Sequence, residues 1–321
     1  RPFPVIKSEN VILKESLQLF HMRRKIDSRV NHSNGCFLIH QADPNIKQMN
    51  LWIPTSKDFL SIYQYLEQNR YLWVFTGAQF IKNFANYMKK NNLCLNYPLS
   101  FIEYSSQNIL PEDKIVIENV FNTRLISNYA CREVWSIAYE CRCGHLHVND
   151  KYLILDIVDD KDNIITEENR FGRVIITSTI NTTMPLIKYS IGDIARINYN
   201  FKCECGNLSP IIELAPGRES DLIDGTNIYG NSLFRRVMRR IYFHEDLTIK
   251  NVRIVYQKLT RKFNVYVELE NVKHALEVKK KFLEHTFEIS PELRRYKFEF
   301  KYEFPFHSIP SAEKEQIFFK E

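Results

Sequence analysis

Apolar residues in the first 120 positions recur at helical spacing, broken by short apolar runs. Phe59, Ile62, Tyr63 and Leu66 stand at i, i+3, i+4 and i+7 after Ser56, which predicts a capped helix over 56–70. Tyr71–Phe75 reads as a strand, and Phe80, Ile81, Phe84 and Met88 predict a helix over 78–91. Tyr97–Ile102 reads as the next strand, and Pro111 opens a helix carrying Ile115, Ile117, Val120 and Phe121. This alternation predicts a parallel sheet with covering helices. Residues 124–215 change to short β-rich runs, among them Tyr152–Val158, Gly172–Thr177 and Pro210–Leu214, as in a mixed or antiparallel sheet.

The last hundred residues form a separate pattern. A helix near 231–242 precedes strands at 251–257 and at Phe263, Val265, Val267 and Leu269. A helix at 273–287 and a strand carrying Tyr296, Phe298, Phe300 and Tyr302 follow. The order α-β-β-α-β predicts a small sheet with helices on one face. Pro, Gly and charge accumulate at Pro216–Gly225, where the boundary is expected. The fold class is therefore α/β, a large mixed-sheet domain over 1–217 joined to a small α+β domain over 218–321.

The 321 residues are 44% hydrophobic and 26% charged, which excludes disorder and low complexity. No apolar run is long enough to span a bilayer and no export signal opens the chain, so no membrane partner and a cytoplasmic location are expected. The net charge of +6 is mild. Its densest clusters, Arg23–Lys25 with Arg29 and Arg235–Arg240, read as solvated helix faces more readily than as a nucleic-acid site, and no nucleic-acid partner is expected. Glycine is scarce, 9 residues where about 22 would be average, and no glycine-rich phosphate loop is present.

Of seven cysteines, Cys36 and Cys94 stand alone and suit core packing. Four form the pairs Cys141-Arg-Cys143 and Cys203-Glu-Cys205, and His145 and His147 follow the first. Thiolate and imidazole at this spacing suit tetrahedral, structural zinc. Cys141, His147, Cys203 and Cys205 are the preferred ligands, with Cys143 the substitute. Unmetallated thiols in turns are the alternative.

Several segments in order resemble the adenylate-forming acyl ligases, closest to the phenylacetate–coenzyme A ligase and CapK-like branch. They are Tyr129-Ala-Cys-Arg-Glu133, the CRCGHLH segment, Gly172–Thr177 with Met184–Asp193, Cys203–Gly206 and Gly217-Arg-Glu-Ser-Asp221. Ala130 and Arg132 depart from the usual glycine and small hydroxyl. The resemblance implies that Tyr129 lies by adenine, that Glu133 helps hold Mg2+, and that Asp193 holds the ribose hydroxyls. It also implies that Arg218 contacts the nucleotide at an interdomain hinge. Lys314, in Ile309–Lys314, falls where the family carries a mobile lysine that neutralises charge on the α-phosphate, with Glu313 in place of glycine. The family's phosphate loop should follow the Pro4–Ser8 segment, near residues 15–25, and the sequence there has no glycine. The first domain thus reads as lacking its start and this loop. The implied activity is ATP-dependent conversion of a carboxylic acid to an acyl-adenylate, followed by acyl transfer to coenzyme A, a carrier-protein thiol or an amine. ATP or AMP, Mg2+, structural Zn2+ and coenzyme A are the implied cofactors, and a homodimer is among the expected partnerships. The alternative is a zinc-stabilised, non-catalytic relative that binds a nucleotide or a protein.

Overall fold

A computed structural model describes residues 6–38, 51, 54–224, 226–244, 247, 249–303 and 317–321. They divide into two units: one holds the residues up to Ile191 with Ala195–Glu213, the other Gly192–Ile194 and the remaining residues from Leu214 onward.

The first unit opens with helix α1 (Glu9–Ile26), capped by the Ser8 side chain. Strand β1 (Gly35–Leu38), helix α2 (Ser56–Asn69), β2 (Trp73–Gly77), α3 (Ala78–Lys90), β3 (Phe101–Ser105), α4 (Pro111–Phe121) and β4 (Arg124–Cys131) follow. Strands β1 to β4 pair in parallel in chain order, each crossover after β1 containing a helix. From β4 onward the sheet turns antiparallel, through β5 (Trp135–Glu140) and β6 (Leu146–Val148). Strands β7 (Leu153–Val158), β8 (Gly172–Ser178), β9 (Tyr189–Asn198) and β10 (Ile211–Arg218) complete the order β1-β2-β3-β4-β5-β6-β10-β9-β8-β7.

Strand period explains two core clusters of this unit. Val74, Ile102 and Leu125 point to one face, where α2, α3 and α4 bury Phe59, Ile62, Phe84, Met88 and Phe121 against them. Their neighbours Trp73, Phe101 and Ile126 point to the other face, joined by Phe20 of α1. Each such side chain contributes roughly 1.5–3 kcal/mol by leaving water.

The predicted elements are present with shifted edges. The cap of α2 is Thr55, not Ser56: Thr55 and Asp58 form a reciprocal capping box. The strand expected at Tyr97–Ile102 begins at Phe101, after Pro98, where Trp73 and Arg124 flank it in register. Phe80, Phe84 and Tyr104 are buried in the helical core with Tyr97 packed against it, so these four aromatics pack the core. Cys36 is buried, whereas Cys94 is exposed and does no core packing.

The second unit contains helix α5 (Gly230–His244), β11 (Ile249–Gln257), β12 (Lys262–Leu269), α6 (Ala275–Ile289), β13 (Lys297–Lys301) and β14 (Phe318–Lys320). The sheet order is β13-β12-β11-β14. Strands β11 and β12 are antiparallel, and each pairs in parallel with its outer neighbour. Phe234 of α5 stacks on Phe282 of α6 at 5.7 Å and on Phe318 of β14 at 5.9 Å, over Phe263 and Val265 of β12. Strand β14 adds one member to the expected α-β-β-α-β order.

Candidate functional site

Three residue groups are the candidates for a site. The first is the hairpin between β4 and β5. Its three-residue loop, Arg132–Val134, closes through Trp135 in the left-handed region at φ 53°, a conformation that costs a bulky residue of order 1–3 kcal/mol. The turn lifts Glu133 to a half-exposed position, where its Oε1 accepts a hydrogen bond from the Tyr189 hydroxyl at 3.0 Å. Burial, and then the Glu133 charge, raises the Tyr189 pKa, so the phenol stays a donor. A single carboxylate oxygen donor suits Mg2+, which keeps several waters and takes the rest of its shell from phosphates. Tyr129, in register with Ala138, is 9% exposed.

Sequence reasoning missed a cation beside this hairpin. Lys7 lies 5.4 Å from the Trp135 ring centroid and pairs with Glu15 at 2.9 Å. Burial raises the Glu15 carboxyl pKa, and Lys7 opposes that rise. The only signal in the sequence is the lysine of the Pro4–Ser8 segment, of which residues 6–8 are described.

The second group is Asp193 with Arg218. Asp193 follows Gly192, which adopts φ +78°, and Gly192 is preceded on the same strand by Tyr189. Arg218 closes β10, and its backbone N–H donates to Asp221 Oδ2 at 3.2 Å across a single 3-10 turn, Glu219–Asp221. Arg218 Nε lies 3.0 Å from Asp193 Oδ1, with side chains 52% and 20% exposed. An ion pair this open adds at most about 1 kcal/mol to stability. Its value is chemical. A carboxylate can accept both hydroxyls of a vicinal diol, and a guanidinium supplies fixed N–H donors.

The third group lies where β6 meets β10. Cys141 directly follows β5 and His147 lies within β6, and Cys203 and Cys205 sit in the loop between β9 and β10. Their ligand atoms all lie within 4.8 Å of one another. The structure thus brings together the four preferred ligands, leaving Cys143 and His145 outside the set.

Lys314 lies outside the described residues. Where the resemblance expects the phosphate loop, residues 9–26 form one continuous helix, unbroken between Leu19 and Arg24. In the basic cluster Arg235 is 9% exposed and Arg240 pairs with Glu288 at 2.7 Å, while Arg236 is exposed.

No family model and no curated protein sequence matches the chain. Solved structures do. The 2-hydroxyisobutyryl-CoA ligase with 2-HIB-AMP, in its postadenylation state, aligns with a TM-score of 0.70 at 12% identity, over 99% of this chain and 74% of that one. The amide bond synthetase McbA from Marinactinospora thermotolerans aligns with a TM-score of 0.51 at 15% identity, over 82% and 53%. The anthranilate CoA ligase AuaEII with anthranoyl-AMP gives 0.52 at 13%, over 82% and 52%. The chain therefore has the fold of the adenylate-forming acyl-CoA ligases. Among the described residues no helix is long and apolar enough to cross a membrane.

Proposed function

We propose that this protein activates a carboxylic acid with ATP, forming an acyl-adenylate and pyrophosphate, and passes the acyl group to a thiol or an amine. The observation that carries the proposal is the Asp193–Arg218 pair, set on strands β9 and β10 of a fold shared with a 2-hydroxyisobutyryl-CoA ligase. Asp193 would accept the ribose hydroxyls, and Arg218, beside it, would hold the sugar or a phosphate. Tyr129 would border the adenine. Glu133, oriented by Tyr189, would supply a carboxylate to Mg2+, whose chemistry is to offset charge developing at phosphorus. Lys314 would add positive charge at the α-phosphate. The chain around Gly217–Arg218 would serve as a hinge between a domain over 1–217 and one over 218–321, giving two half-reactions one shared set of groups.

Within this reading the phenylacetate–coenzyme A ligase and CapK-like branch is favoured by the ordered motifs, coenzyme A is the first acceptor to test, and carrier-protein thiols and amines follow. One observation favours a second reading, a nucleotide- or protein-binding relative without catalysis: α1 fills the stretch where a phosphate loop would lie. Pyrophosphate release from ATP, measured with a panel of aliphatic and aromatic acids, separates the two. Release that requires a particular acid and is lost in Asp193→Ala supports acyl activation. ATP binding with no acid-dependent release would overturn it in favour of the binding module.

A further inference from the structure

The two cysteine pairs are built alike. In Cys141-Arg-Cys143-Gly144 the Gly144 N–H donates to the Cys141 carbonyl at 2.9 Å, and in Cys203-Glu-Cys205-Gly206 the Gly206 N–H donates to the Cys203 carbonyl at 3.0 Å. Both glycines take left-handed backbone, φ +85° and +78°, which a side chain would disfavour by about 1 kcal/mol. In each turn sulfur also accepts backbone N–H: Cys143 N donates to Cys141 Sγ at 3.3 Å, and Asn207 N to Cys205 Sγ at 3.4 Å.

The side chains converge as ligands would. Cys141 Sγ and Cys203 Sγ are 3.7 Å apart, and Cys205 Sγ is 3.4 Å from His147 Nε2. A tetrahedral Zn2+ with Zn–S near 2.3 Å and Zn–N near 2.0 Å would set these separations at about 3.8 and 3.5 Å. A disulfide would need about 2.05 Å, and none of the seven cysteines is disulfide-bonded. His147 is already oriented: its Nδ1 lies 2.8 Å from the Ser209 carbonyl, which takes an Nδ1–H and leaves the Nε2 lone pair facing the sulfurs. His145 stands to the side, Nδ1 3.4 Å from Cys203 Sγ and ring 4.7 Å from Phe201, placed to donate to that thiolate.

We propose that Cys141, His147, Cys203 and Cys205 bind one Zn2+ with no position left for water, and that the ion is the clamp holding β10 against β6. The ladder at that junction is short: β6 has three residues, Ile211 pairs with His147 and Ile212 with Leu146, and the Val148 N–H donates to the Pro210 carbonyl at 2.8 Å beside them. One ligand, His147, belongs to that short ladder, and two come from the loop that turns β9 into β10. Those same strands continue to Asp193 and Arg218, so the clamp would keep in place the strands on which the nucleotide reading rests. The metal site itself stands apart from that reading.

Full-length protein, stripped by a chelator and reloaded with Zn2+ or Co2+ alone, tests this. The expected results are one metal equivalent per chain and the intense visible spectrum of tetrahedral Co2+ bound by thiolates. Cys203→Ser should lose both. His145→Ala should keep the spectrum with about 10–100-fold weaker binding, as expected of an outer partner. Hydrogen exchange should speed up at least tenfold on metal removal in residues 195–213 and in β5–β6, and much less in α2 and α3. Failure to bind a stoichiometric metal, an octahedral Co2+ spectrum, or unchanged exchange in 195–213 would each overturn the clamp. Metal binding without any nucleotide binding would leave the clamp standing and sink the acyl-activation reading instead.

Discussion

Changing Glu103→Gln removes one negative charge from the interior of the first unit while keeping the side-chain shape. Glu103 is fully buried on β3, and its oxygens accept four hydrogen bonds. Arg23 Nε donates at 2.6 Å and the Tyr139 hydroxyl at 3.0 Å to Oε2; Arg23 Nη2 at 3.0 Å and Asn128 Nδ2 at 2.9 Å donate to Oε1. However the new amide turns, its NH2 group faces an Arg23 N–H. The milder arrangement puts it at the Oε2 position, where the Tyr139 hydroxyl can rotate to accept. Arg23 is 3% exposed, its guanidinium 4.4 Å from the Trp73 ring centroid, so it stays charged and loses its counter-ion. One lost charged hydrogen bond costs about 1.5–3 kcal/mol, and stranding a buried charge about 3–5 kcal/mol. We expect about 3 kcal/mol, read as a fall of roughly 1–3 M in the urea midpoint at ordinary slopes. Tryptophan fluorescence follows it, because Trp73 sits in the affected cluster. Adding Arg23→Met should recover part of the loss, since no charge is then stranded. A single variant within about 1 kcal/mol of the parent, or a double variant as unstable as the two single losses summed, would refute the reasoning and with it the placement of α1.

Three further outcomes follow from the same structure. The Asp27 carboxylate accepts from the Arg29 side chain and backbone and from Ser100 Oγ, and its pKa is held well below the usual carboxylate range, with the Arg29 side chain the largest cause. Its stabilising effect is therefore complete above the unfolded value of about 3.9 and lost as pH falls toward the folded one, so melting curves of Asp27→Asn and parent should differ at pH 7 and converge in acid. A methyl group at Gly172 would meet the Val158 carbonyl at 2.5 Å and Ile165 at 2.6 Å, so Gly172→Ala should cost about 1–3 kcal/mol in thermal unfolding. Asp193→Ala should leave melting nearly unchanged but weaken AMP about 10–100-fold by calorimetry, the worth of hydrogen bonds to a charged group.

How far the sequence could be read depended on where each element turns its apolar side. Helix α2 was legible because Phe59, Ile62 and Leu66 face the core at helical spacing. Helix α1 was not, because its pattern is inverted: Glu15, Gln18 and Arg23 are buried while Leu13 and Leu17 are 57% and 60% exposed. No periodicity reading assigns an inward face to three polar residues, since their burial depends on distant partners such as Glu103. Strand β14 is three residues long and pairs with β11 across some sixty positions of chain, which local pattern cannot register. Within the candidate site, the cysteines and His147 were legible because metal chemistry restricts residue type and spacing. The nearness of Arg218 to Asp193 was expected through the family resemblance, whereas the hydrogen bond from Tyr189 to Glu133 was not, because it joins segments whose meeting is decided by sheet order.

The most direct test of acyl activation is to look for its intermediate. The full chain is incubated with ATP, Mg2+ and a pool of carboxylic acids, separated from free small molecules, and its bound nucleotides are identified by mass. The account predicts an acyl-adenylate of one acid class, absent without ATP and absent in Asp193→Ala. Recovery of ATP or AMP alone, whatever acids are supplied, would contradict it.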